Sequence, residues 1–82
     1  MIEYSVILKR WPGESRPDVC IFRDENRDVA LREMHKYSKN EGFSIRDNDG
    51  RHTIANIVLV AKEPIAGSPV ISETSYCELF ND

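Results

Sequence analysis

Almost every residue type that announces a chemistry is scarce in this sequence. Two cysteines, Cys20 and Cys77, and two histidines, His35 and His52, are its whole stock of soft metal ligands. No two of the four stand at the close spacing of a structural zinc site, so no metal is expected and the histidines read as surface or rim residues. Cysteines so few and so far apart make no disulfide framework. They read as buried or half-buried thiols in a reducing compartment, with a single bridge between the first and last strands as the alternative. The glycines, Gly13, Gly42, Gly50 and Gly67, stand singly. That distribution punctuates secondary structure and excludes a glycine-rich phosphate cradle. No serine occupies a G-x-S-x-G elbow. Asp47-Asn48-Asp49-Gly50 lacks the further oxygen ligands of a calcium loop, with Ile45 and Asn56 at positions that need them. No cofactor, no catalytic residue and no enzymatic activity are expected.

Long hydrophobic runs are missing too. The best, Ile54 to Ala61, is interrupted by Asn56 and falls far short of the roughly 20 residues of a membrane span. The opening MIEYSVILKR has no basic n-region and is broken by Glu3, unlike a secretory signal. A cytoplasmic protein without membrane contact is the expectation.

What is present is a patterned chain of 82 residues, 40% hydrophobic and 30% charged, with a net charge of -3. That length holds one core, so residues 1–82 form a single domain with a thin stability margin. Self-association is one way such a domain gains buried area. Charge is uneven: residues 1–40 carry +1 (eight basic, seven acidic) and residues 41–82 carry -4 (three basic, seven acidic). An acidic domain repels phosphate, so nucleic acid is not the default partner.

Residues 2–10 alternate, with Ile2, Tyr4, Val6 and Leu8 opposite Glu3, Ser5, Ile7 and Lys9, the period of a half-buried strand. Trp11-Pro12-Gly13 ends it, and a loop through Pro17 leads to a second strand over residues 18–23, completing a hairpin. Here strict alternation sets Val19, Ile21 and Arg23 against Cys20 and Phe22. Asp24 is the expected N-cap of a helix over about 25–40. Ala30, Leu31, Met34 and Tyr37 form its apolar stripe, and Gly42 closes it. A short strand over Phe43–Asp47 follows, then an Asn48-Asp49-Gly50 turn and a long strand from Arg51 to about Lys62. The inward row of that strand is either Ile54, Asn56, Val58, Val60 or Thr53, Ala55, Ile57, Leu59. Both rows are apolar past Ala55, which predicts a central strand or a face used in an interface. After a Pro/Gly-rich loop, Val70 to Phe80 reads as a last strand. The fold class is α+β: a single helix packed on a mostly antiparallel four- to five-stranded sheet, in the order β-β-α-β-β-β. The ββα opening, closing at Glu41-Gly42-Phe43, resembles the element order of many small bacterial and phage accessory domains, and it names no family.

Two binding readings follow. The first is an interaction or regulatory domain that pairs with a protein partner or itself, as a homodimer, through a sheet face or edge. One helix covers only one face of such a sheet, and Ile57, Leu59, Ile71 and Leu79 are its candidate interface residues. The alternative is nucleic-acid binding by the first loop, where Lys9, Arg10 and Arg16 flank Trp11. Cations there would hold phosphate while the indole stacks on a base. The competing role for Trp11 is a hydrophobic lid over the sheet end.

Overall fold

The computed structural model describes residues 1–41 and 54–80. Its elements are β1 (Glu3–Arg10), β2 (Val19–Asp24), α1 (Arg27–Glu41), β3 (Ile54–Lys62), β4 (Ser72–Ser75) and α2 (Tyr76–Leu79). The four strands form one sheet in the order β2-β1-β3-β4, antiparallel at every pairing. The α+β class holds. The expected strand at Phe43–Asp47, the Asn48-Asp49-Gly50 turn and the Gly42 cap lie outside the described residues.

The β1–β2 hairpin forms because each turn residue suits its position. Glu14 N donates to Trp11 O (3.1 Å) across Pro12 and Gly13, and Gly13 has φ +91°. Proline followed by a glycine at positive φ is the signature of a type II turn. Gly67, at φ +85°, serves the Ile65–Ser68 turn in the same way.

Strict alternation fails at two bulges. Val6 pairs with Phe22 and Ile7 with Cys20, so Ile21 is the extra residue of β2. Val19 and Phe22 therefore share the α1 side of the sheet, and Cys20 and Arg23 share the other. This corrects the row of Val19, Ile21 and Arg23. In β3, Lys9 pairs with Asn56 and Arg10 with Ile54, leaving Ala55 extra. Ile54 thus joins Ile57 and Leu59 beneath the helix. Neither simple row of the long strand survives, because a bulge inserts one residue and resets the parity.

The core lies between α1 and the sheet: Val6, Leu8, Ile54, Ile57 and Leu59 from the strands meet Ala30 and Met34 from the helix. Met34 is fully buried, and Leu31 and Tyr37 pack at the margin. The apolar stripe of α1 is thus the one read from the sequence. Its N-cap is Asn26 rather than Asp24. Asn26 Oδ1 accepts from Asp28 N (2.9 Å) and Val29 N (3.3 Å). Asp24 ends β2 and accepts from Asn26 N (2.7 Å), so it shapes the turn before the cap.

A second correction concerns the C-terminal stretch. The last strand ends at Ser75, whose hydroxyl accepts from Glu78 N (3.3 Å) and caps α2. The described residues form two helices, not one. Tyr76 and Phe80 turn toward α1, where their rings meet His35 (His35–Phe80 centroids 4.7 Å, Tyr76–Phe80 4.8 Å) and Tyr76 Oη lies 3.1 Å from His35 Nδ1. Alternation over residues 70–80 hid this, because a cap and a helical turn of four residues are too short to show a 3.6 period.

Candidate functional site

Two surface regions bear on function: the expected basic loop, and the sheet around β2. The loop gathers the residues named for it but balances their charge. Lys9 Nζ lies 3.2 Å from Glu73 Oε1 and 3.5 Å from Asp18 Oδ2. The hydrogen bond and charge of Glu73 raise the Lys9 pKa above its ordinary value, outweighing the opposing effect of burial, and Asp18 adds to the rise. Arg10 donates through Nε to Pro17 O (2.8 Å) and through its backbone N to Asp18 Oδ1 (2.9 Å). Arg16 Nε donates to Glu14 Oε1 (3.0 Å), which holds the Glu14 carboxyl below its usual range. Three cations therefore stand among Glu14, Asp18 and Glu73. Trp11 is 56% exposed, so it is not a closed lid. It stands in a neutral setting rather than a basic one.

The expected interface residues separate. Ile57 and Leu59 point under α1 into the protein's own core, which corrects their assignment to an interface: their pairing with Leu8 and Val6 sets them on the helix side. Leu79 packs against the core margin. Ile71 is 56% exposed and follows Ile65 and Val70, also exposed, on the β3–β4 connection. Both thiols are free and exposed rather than buried. Cys20 sits on edge strand β2 and Cys77 in α2, which follows the opposite edge strand β4, so no bridge joins them. His52 lies outside the described residues. Among the described residues, no three His, Cys, Asp or Glu side chains gather as a metal site, and no helix is long and apolar enough to cross a membrane.

Around β2 the structure shows two concavities, one on each side of the sheet. On the α1 side, Ile21, Phe22, Glu33, Lys36 and Tyr37 line an open shelf of about 190 Å³. On the helix-free side a larger cleft of about 490 Å³ runs across the sheet beneath the β3–β4 connection. Registers order its floor in three rows: Lys62 beside Glu3, then Val60, Ser5 and Arg23, then Ile7 and Cys20. Pro64, Ile65 and Ala66 form its wall. Arg23 Nε donates to Cys20 Sγ (3.3 Å), and this thiol, followed by the charge of Glu3, favours the guanidinium form. Sequence reading passed over Arg23, Ser5 and Lys62. The only signal for them was a cation inside an otherwise apolar strand, and the bulge at Ile21 decides which face it occupies.

The chain matches no protein-family model, no curated protein and no solved structure.

Proposed function

We propose that this chain is a small interaction domain that assembles with a second copy of itself by adding β2 to β2. The carrying observation is the free outer edge of β2: the strand is extended over Val19–Asp24, pairs inward with β1, and has no strand on its other side among the described residues. Such an edge is a template for another strand, because its outward N–H and C=O groups lack sheet partners among the described residues. The opposite edge, β4, is a poorer template, with four polar residues before a helical turn.

The surroundings of β2 favour a second copy as the occupant. Antiparallel pairing centred between Ile21 and Phe22 sets each of these side chains against the other across the two-fold axis. Arg23 then opposes Cys20, so no like charges face one another. The shelf beside β2 carries both Glu33 and Lys36, neither of which forms an ion pair among the described residues. A two-fold axis along the β2 edge brings each toward the opposite charge of the other copy, an isologous arrangement. Six strand residues and a helix flank make a small interface, so the dimer is weak, with a Kd on the order of 1–100 μM.

Light scattering across a concentration series should show mass rising from monomer to dimer. Lys36→Glu should weaken the dimer about tenfold, about 1.4 kcal/mol, by exchanging attraction for repulsion at two symmetric contacts. Adding Glu33→Lys to that variant should restore it. A monomer persisting at ~1 mM, far above the Kd range expected for a small interface, would refute the assembly.

A further inference from the structure

We infer that the cleft on the helix-free face binds a small monocarboxylate with an apolar body. Three observations converge on an anion. First, Lys62 is half-buried at the cleft end and makes no ion pair or hydrogen bond among the described residues. Second, among the described residues Arg23 commits only its Nε, to the Cys20 thiol. Its two terminal nitrogens are left to receive a planar acceptor, and a guanidinium fork fits a carboxylate in that geometry. Third, Ser5 is the one buried polar residue among the described residues, 7% exposed. Its hydroxyl makes no side-chain hydrogen bond among the described residues. No enclosed side-chain oxygen or nitrogen there lacks a partner, so this hydroxyl is not sealed in the protein but opens onto the cleft it lines. Ser5 pairs with Arg23 on one side and with Val60 on the other, one row from Lys62. The two cations thus flank a hydroxyl donor on one sheet face.

The class of anion follows from charge and lining. Arg23 and Lys62 supply two positive charges and Glu3, cross-strand from Lys62, removes one. A site of net +1 matches a carboxylate and leaves a phosphate dianion undercompensated. Ile7, Val60, Pro64 and Ile65 complete the lining, which gives the rest of the ligand an apolar bed. The volume of about 490 Å³ lies within the range of small-molecule sites.

This inference does not rest on β2 pairing, and the test keeps them apart by using both the wild type and the Lys36→Glu variant, whose substitution lies on the other side of the sheet. Octanoate is titrated into the ¹⁵N-labelled protein, with octanamide and inorganic phosphate as parallel arms. Octanoate should shift the amides of Ser5, Ile7, Arg23 and Lys62 in both proteins. Octanamide and phosphate should leave them in place. Arg23→Gln and Lys62→Gln each place a neutral side chain on the surface; together they should weaken octanoate binding at least tenfold with the amide spectrum of the core unchanged. Equal shifts with octanamide, shifts centred elsewhere, stronger shifts with phosphate, or no shift at ~10 mM octanoate would each overturn it.

Discussion

At the residue scale, Met34 is the keystone of the core. It is fully buried at the centre of the helix–sheet interface, against Val6, Leu8 and Ile57. Truncation of such a side chain costs about 2–5 kcal/mol, whereas a domain of this length is stable by only about 4–12 kcal/mol. Met34→Ala should lower the urea midpoint sharply, and at the upper end of that range leave a mixture of folded and unfolded chains at room temperature. A loss under ~1 kcal/mol would mean that α1 does not press on the sheet as described. The Met34 position was legible in the sequence, because apolar residues at three- and four-residue steps admit one buried stripe. The capping residue was not. Asp24 and Asn26 both have side chains able to cap. Which one does depends on where β2 releases the chain, and the pairing of Asp24 with Tyr4 carries the strand as far as Asp24.

At the element scale, α2 shows how little holds a short helix. Four residues cannot sustain helix by propensity. What fixes this one is the Ser75 cap below it and the Phe80 and Tyr76 rings stacked on His35. Each such ring pair adds about 0.5–1.5 kcal/mol beyond burial. Phe80→Ala removes two of the three pairs and should release α2 without unfolding the sheet. Amide exchange at Glu78 should accelerate at least tenfold while the β1–β3 amides keep their protection. Uniform acceleration across β1 and β3 would show that α2 is integral to the core. The hairpin and the central position of β3 followed from the alternation and the two apolar rows. The bulges at Ile21 and Ala55 did not, because period two looks the same on either side of an inserted residue. Their consequences are large: one bulge turns Arg23 to the face that Cys20 and Ser5 share, and the other brings Ile54 under the helix beside Ile57 and Leu59.

At the scale of the whole molecule, charge placement outweighs charge count. The first loop has the composition of a nucleic-acid contact, yet Glu73 arrives from β4 beside Lys9 and Asp18 from across the turn. Phosphate binding needs cations that release counterions, and neutralised ones contribute little. A gel shift with a single-stranded oligonucleotide at low salt should show no complex. A salt-dependent shift lost in Trp11→Ala would instead support the nucleic-acid reading over β2 pairing. By itself, the sequence determined the α+β class, the α1 stripe, the opening hairpin and the two-sided burial of the long strand, since each is a local periodicity that backbone geometry reads in one way. Only the tertiary structure decided the order of the described strands, the neutral first loop and the meeting of Arg23, Ser5 and Lys62. Those depend on which distant segments lie side by side and on the parity that each bulge imposes, and no local pattern encodes either.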